Sequence, residues 1–83
     1  MLSIRSSIDY DKKFDVLYYN ILETDNSYGD EIDNTIVLLR DMEDDSIITG
    51  ITILDFKKNF IHNQKKKQVL SEYIDITPIV NFI

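Results

Sequence analysis

The pattern of apolar residues changes its period once along the chain, and the change marks the predicted centre of the fold. Apolar and mostly β-branched residues follow one another over Ile47–Leu54, which is typical of a strand. Phe56, Phe60 and Ile61 then recur at the spacing of one helix face. Asp55 lies between the two and is expected to cap the helix with its carboxylate. We therefore expect a strand that leads directly into a helix packed on it.

Other stretches in which polar and apolar residues alternate predict strands that pair with the central one. Leu2–Ile8 and Val16–Leu22 are predicted to form a hairpin, because the segment between them is rich in turn residues. Thr35–Arg40 predicts a further strand, which the acidic turn Asp41–Asp45 connects to the central one. The polar segment Glu23–Asn34 is expected to be a mobile surface loop.

The end of the chain is predicted to add one helix and one apolar segment. The helix is expected to run from Phe56 to about Leu70, with its lysines in solvent. Ser71–Ile83 is too apolar for a free tail, and Pro78 stops any helix begun earlier, so a short strand or a clasp across the sheet is expected. The prediction is a single α+β domain over residues 1–83: an antiparallel three- to four-stranded β-meander followed by one helix and an apolar C-terminal segment.

Composition and charge narrow the class of protein. The 83 residues include no cysteine, which excludes a disulfide framework and a Cys-based zinc site. The N-terminus lacks the profile of a signal peptide and no apolar run is long enough to cross a bilayer, so a cytoplasmic location without membrane contact is expected. Nine basic and fifteen acidic residues give a net charge of −6, which favours basic partners, repels nucleic acid and supports solubility.

Candidate catalytic and metal-binding residues lack the companions that their chemistry needs. His62 is the only histidine, and no cysteine accompanies it for zinc binding or for a nucleophilic triad. The turn Asp41–Asp45 lacks the ligand spacing and the glycine of a calcium loop. Asp11 and Asp15 are better explained as caps of backbone N–H groups than as an acid–base pair. The sequence therefore predicts a protein that is not an enzyme, with no catalytic residue, no cofactor and no bound metal.

The predicted sheet is apolar on both faces, although only one helix is available to cover it. If Ile51 and Ile53 face the helix, the alternation of side chains adds to the core Leu17, Tyr19, Ile21, Ile36 and Leu38. A contiguous apolar patch on the second face of a sheet usually marks an interface. The predicted protein-interaction residues are those of this second face and two from the C-terminal segment: Tyr18, Leu22, Val37, Leu39, Ile48, Leu54, Ile79 and Phe82.

Two motifs carry a resemblance to a known family. Tyr10-Asp11 with Asp15, Leu17 and Tyr18 reads Y-D-x-x-x-D-x-L-Y, and Gly50–Asp55 reads G-I-x-I-L-D. In order and spacing these resemble a bacterial family of short proteins known only as a domain of unknown function. The resemblance implies antiparallel strands followed by a helix, brings no established activity, and points to an antitoxin-like role beside toxin genes. The chain departs from the family pattern at positions where relatives carry acidic residues, Leu39 and Thr52.

These observations predict a non-catalytic, acidic interaction module that forms a homodimer and binds, and thereby inhibits, another protein such as a basic toxin. Steering by charge would speed that encounter. One alternative is a homo-oligomer that sequesters a small ligand in a pocket between protomers. Another is a nucleic-acid-binding regulator that uses Lys57, Lys58 and Lys65–Lys67, a reading that the overall charge opposes. The C-terminal segment, a second copy or a different protein would cover the second sheet face.

Overall fold

The computed structural model describes residues 3–82, with side chains from Ser6 onward, and shows an α+β fold. The five strands are β1 (Ser3–Asp11), β2 (Val16–Glu23), β3 (Ser27–Asp33), β4 (Ile36–Asp41) and β5 (Ile48–Ile53). They are followed by a π-helical segment (Phe56–Phe60) and by two short α-helices, α1 (Gln64–Ser71) and α2 (Thr77–Phe82). Leu2, which belongs to the predicted first strand, lies outside the described residues.

The strands form one antiparallel sheet in the order β1-β2-β5-β4-β3. Two hairpins, β1–β2 and β3–β4, therefore lie on either side of β5, which is the central strand that the sequence predicts. The expected meander of three or four strands is wrong in both number and order. The sheet has five strands, and β5 pairs with β2 as well as with β4, which precedes it in the chain.

β3 is the strand that the sequence analysis misses, because the polar segment that contains it reads as a loop. It pairs only with β4, and it lies at one edge of the sheet. Asp30 and Glu31 suit this position, since charged side chains on an edge strand discourage further strands from pairing with it. A polar composition therefore signals an exposed edge here rather than a loop.

The hydrophobic core lies on one face of the sheet, between the strands and the helical segments. Residues that pair across the three central strands contribute two rows, Leu17–Ile53–Ile36 and Tyr19–Ile51–Leu38. The inward residues that the alternation predicts are confirmed, although Tyr19 and Ile21 are only partly buried. The fully buried cluster consists of Leu17, Ile36, Leu38, Ile51, Ile53, Phe56, Phe60, Leu70 and Ile79.

The predicted long helix is divided into two short segments. Asp55 does not cap it through its side chain, because this residue adopts a left-handed backbone conformation with φ 51° and makes no capping hydrogen bond. The chain instead forms the five-residue π-helical segment and then a turn. Asn63 begins α1, since its side-chain oxygen accepts a hydrogen bond from the backbone N–H of Lys66 at 3.0 Å. The predicted end near Leu70 agrees with the observed end at Ser71.

The C-terminal segment forms a helix in place of the expected strand, and it packs across the core face of the sheet. Asp75 accepts hydrogen bonds from the backbone N–H and the hydroxyl of Thr77, which begins α2. Pro78 follows in the first turn, where the missing N–H of proline costs nothing. Ile79 joins the core cluster, and Ile74 and Ile76 pack against it. The segment therefore thickens the helical layer and lies on the same side of the sheet as α1.

Candidate interaction surface

We call the second face of the sheet, opposite the core, the open face. Cross-strand pairing arranges its side chains in rows. One row runs through all five strands as Asp9–Tyr18–Thr52–Val37–Glu31. Residues paired directly across antiparallel strands share a face of the sheet, so these side chains form a continuous band. The band has an acidic residue at each edge of the sheet and apolar groups between them.

A second row, two residues along each strand from the first, consists of Leu39 and four small or polar residues. It runs Ser7–Asn20–Gly50–Leu39–Gly29 across the same five strands. Because two of its five members are glycines, the row forms a trough in the sheet surface around Leu39. A cleft of about 330 Å³ lies here, lined by Ser7, Asn20, Leu22, Glu23, Thr24, Ser27, Leu39 and Thr49. The cleft therefore combines two leucine side chains with a majority of polar groups.

The two glycines are required by close contacts between neighbouring strands. A Cβ atom at Gly50 would lie 3.0 Å from the carbonyl oxygen of Tyr19 and 3.3 Å from Cδ1 of Leu39. A Cβ atom at Gly29 would lie 3.1 Å from Cγ1 of Val37. A glycine inside a strand often marks such a close approach, and here the side chain of Leu39 lies against Gly50. Gly29 is missed, because it belongs to the strand that reads as a loop.

The structure brings together on the open face four of the predicted interaction residues. Val37 and Leu39 of β4 are half-buried, as is Leu22 of β2. Tyr18 is 40% exposed, and it lies in the same row as Val37. Leu54, a fifth predicted residue, lies just beyond the strand rows: it directly follows β5 and is also 40% exposed. An apolar surface on the second face of the sheet is therefore present as the alternation predicts.

Three other predicted interaction residues lie elsewhere. The pairing of β4 with β5 shifts register between Leu39 and Arg40, so Ile48 pairs with Arg40 and packs against the core side. Its prediction as a residue of the second face is therefore wrong. Ile79 has no exposed surface, because α2 inserts it into the core. Phe82 is 44% exposed, but it lies on the helical side, where the centroid of its ring is 6.4 Å from that of the Tyr10 ring.

No element among residues 3–82 forms a layer over the open face. The π-helical segment, α1 and α2 bury Phe56, Phe60, Leu70 and Ile79, and all of these belong to the core cluster on the other side of the sheet. The C-terminal segment, which the sequence analysis offers as one covering layer, packs on that side as well. Within the described part of the chain, the two faces of the sheet are therefore unequal, with one covered and one uncovered.

Charge is also distributed unequally between the two faces. The helical layer carries five lysines, namely Lys57 and Lys58 in the π-helical segment and Lys65, Lys66 and Lys67 in α1. Arg40 points to the same side, where its guanidinium lies 5.9 Å from the ring of Tyr73 and its Nε donates to Asp30 at 2.9 Å. Of the basic side chains that the structure describes, none occupies an open-face position on a strand.

Three of the titratable groups with shifted pKa values, Tyr10, Asp15 and Asp33, make hydrogen bonds that hold the fold together. Burial alone would raise the pKa of Asp15, but hydrogen bonds from the backbone N–H of Lys57, the Tyr10 hydroxyl and the backbone N–H of Lys58 lower it. The hydrogen bond that the Tyr10 hydroxyl donates to Asp15, together with burial and the charges of Asp15 and Asp11, raises the pKa of Tyr10 to about 12. The ammonium of Lys66 lowers the pKa of Asp33. The hydrogen bonds of Asp15 and Asp33 therefore join separate elements of the fold.

Lys66 shows how such a group joins two elements. Its ammonium donates to the carboxylate of Asp33, to Oδ1 of Asn34 at 3.0 Å and to the Thr35 hydroxyl at 2.9 Å. These acceptors form the β3–β4 turn, and Lys66 belongs to α1. Because all three hydrogen bonds of its ammonium hold the fold together, Lys66 is not available to a ligand.

No protein-family model, no curated protein and no solved structure matches this chain. The resemblance to the bacterial family, and the partner that it implies, therefore stay predictions. Within residues 3–82, none of the helices has the length and apolar character needed to traverse a bilayer. The side chains described there also include no group of three or more His, Asp or Glu residues placed to hold a metal ion.

Proposed function

We propose that the protein is a non-catalytic interaction module that binds another protein through its open face. The observation that supports the proposal is the apolar centre of that face, formed by Tyr18, Val37, Leu39 and Leu22, over which no described element packs. An antiparallel sheet with a single covering layer ordinarily carries polar residues on its outer face. A partner that buries this surface gains the free energy of removing it from water.

Binding of this kind inhibits the partner when the covered surface includes the partner's own functional site. The antitoxin-like role that the family resemblance implies is one instance of it. The module itself needs no reactive group for this role, only a rigid sheet with a fixed arrangement of side chains. The packed core and the hydrogen bonds of Asp15 and Lys66 supply that rigidity.

Affinity capture with matched variants of the bait tests the proposal. In the open-face variant Tyr18→Ser and Val37→Thr are combined, and the control combines Tyr73→Ser with Val80→Thr on the helical side. The two aromatic side chains have nearly equal exposure, 40% for Tyr18 and 42% for Tyr73. We expect the wild type and the control to retain the same protein and the open-face variant to lose it. Retention by all three baits, or equal loss from both variants, would contradict the proposal; circular dichroism checks that both are folded.

The cleft around Leu39 supports a second candidate function, the binding of a small neutral molecule. Its volume of about 330 Å³ lies at the lower end of the range of ligand pockets. Ser7, Asn20, Ser27 and Thr49 line it and offer hydroxyl and amide groups for hydrogen bonds. A thermal-shift screen of neutral polar metabolites tests this candidate. A ligand that raises the melting temperature of the wild type but not that of Ser7→Leu supports it, and a screen without such a ligand counts against it.

A further inference from the structure

The open-face band ends in a carboxylate at each edge of the sheet. Asp9 lies on β1 and Glu31 on β3, and both side chains are exposed. Four strand spacings of about 4.8 Å separate these two strands, so the two backbone positions are about 19 Å apart. Tyr18, Thr52 and Val37 fill the distance between them.

Neither terminal carboxylate of the band has a cation beside it among the described side chains. The ion pairs of β3 instead join Asp30 to Arg40 and Asp33 to Lys66. Asp30 and Asp33 belong to the side of β3 that faces the helical layer, since they pair with Leu38 and Ile36 of the core. The ion pairs of Asp30 and Asp33 therefore lie on the helical side, and the Asp9 and Glu31 side chains are exposed at the two ends of the open-face band.

We propose that the open face binds a segment of another protein that has an apolar centre and a Lys or Arg residue on each side of it, about 19 Å apart. The inference rests on the function proposed above and specifies the chemistry of the partner. In an α-helix that distance corresponds to about 13 residues, and in an extended strand to about six. The apolar centre contacts Tyr18 and Val37, and the two cations pair with Asp9 and Glu31.

The same band disfavours a second copy of this chain as the occupant. It is acidic at both ends, so stacking two bands places carboxylates opposite carboxylates whether the two rows run in the same direction or in opposite directions. Each copy also carries a net charge of −6. Like charges brought together at an interface oppose association. With a basic partner, the band carboxylates and the net charge of the protein both attract the partner and do not repel it.

Two peptides of identical composition test the spacing of the charges. Both are 17-residue, alanine-based helices with a leucine and phenylalanine centre, and both carry the same number of lysines. One has its lysines at both ends of the helix, and its isomer has them all at one end. We expect the peptide with lysines at both ends to bind the protein about threefold more tightly in fluorescence anisotropy, because only it can reach both Asp9 and Glu31. Equal binding of the isomers, or binding of neither, would overturn the inference.

Variants of the protein assign the effect to the open face. Asp9→Asn combined with Glu31→Gln removes the two band carboxylates, and Glu43→Gln combined with Glu72→Gln removes two exposed carboxylates elsewhere. Both variants change the net charge equally. We expect the first to abolish the threefold preference for lysines at both ends and the second to keep it. An equal loss in both variants would show attraction to the overall charge and would overturn the inference.

Failure of this inference can be told apart from failure of the proposed function. One outcome is a wild-type dimer, seen by light scattering, that the Tyr18→Ser, Val37→Thr variant abolishes. The open face would then be an interface between two copies, so the inference would be overturned while the proposed interaction surface remained. If the open-face variant changes neither self-association nor the capture of any protein, the proposed function itself is contradicted.

Discussion

Asp15 and Lys57 are 42 positions apart in the chain, yet the Asp15 carboxylate accepts a hydrogen bond from the backbone N–H of Lys57 at 2.8 Å. The same carboxylate accepts from the backbone N–H of Lys58 at 3.1 Å and from the Tyr10 hydroxyl at 2.7 Å. It therefore caps the π-helical segment from the β1–β2 turn, in the role that sequence analysis gives to Asp55. Both aspartates have a positive φ, 57° for Asp15 and 51° for Asp55.

The two aspartates form a matched pair for mutation, because glycine adopts their backbone conformation without strain. We expect Asp15→Gly to lower the free energy of unfolding by roughly 1–2 kcal/mol, since it removes the acceptor of three hydrogen bonds. Asp55→Gly removes no side-chain cap, so its effect is expected to stay within about 0.5 kcal/mol. Urea denaturation measures both. A larger loss for Asp55→Gly would contradict the assignment of the cap to Asp15.

Stability is expected to fall in acid, because hydrogen bonds lower the pKa values of Asp15 and Asp33 below their ordinary value of 3.8. A carboxyl whose pKa is lower in the folded state contributes stability that is fully present above the unfolded pKa. That contribution is lost as the pH falls from about 5 through 3.8 towards the folded pKa. Urea unfolding at pH 7 and pH 3 measures the loss.

The Asp33→Asn variant is the control for this pH dependence. It removes one of the carboxyl groups with a lowered pKa and the ion pair with Lys66, so it is expected to be less stable at pH 7 and to lose less stability on acidification. A parallel fall in the wild type and the variant would show that Asp33 does not contribute to the acid sensitivity.

Gly50 and Gly29 provide a test of the packing beneath the open face. Gly50→Ala places a Cβ atom against the backbone carbonyl of Tyr19, which cannot move without shifting β2, so a loss of roughly 1–3 kcal/mol is expected. Gly29→Ala meets only a side-chain atom of Val37, on an edge strand. Its cost is expected to be under about 1 kcal/mol, because alanine also restricts the unfolded chain. Thermal unfolding compares the two, and equal losses would contradict the account of the trough.

The sequence predicts the inner strands of this fold well, because burial imposes a regular pattern on them. Ile51 and Ile53 alternate with Thr52, and their partners in β2 and β4 alternate in step. The pattern fails where local geometry changes the register or the composition is polar. The shift between Leu39 and Arg40 moves Ile48 to the core side, and no residue type signals it apart from Gly50 nearby.

The helical region shows a second limit of prediction from local sequence. Asp55 has the residue type and position of an N-terminal cap, but the residue that caps the segment is far away in the chain. Contacts of that kind depend on the tertiary fold, which brings the β1–β2 turn beside the end of β5. The acidic ends of the open-face band are hidden for the same reason, since Asp9 and Glu31 share a row only once the strand order is known.

The cysteine-free sequence allows a direct test of whether the open face is uncovered in the free protein and covered by a partner in the cell. Thr52 lies at the centre of the band, and Lys58 is an exposed residue of the helical side. Thr52→Cys and Lys58→Cys each introduce one thiol. The measurement is the rate of maleimide modification of each thiol, in the purified protein and in intact cells that produce it.

We expect the Thr52→Cys thiol to react rapidly in the purified protein and at least tenfold more slowly in cells, relative to the Lys58→Cys thiol in the same sample. The normalisation removes differences in reagent concentration between the two conditions. Slow modification in the purified monomer would show that the chain covers its own open face. Equal relative rates in the two conditions would show that nothing binds there, and either result would contradict the central claim that this surface binds a partner.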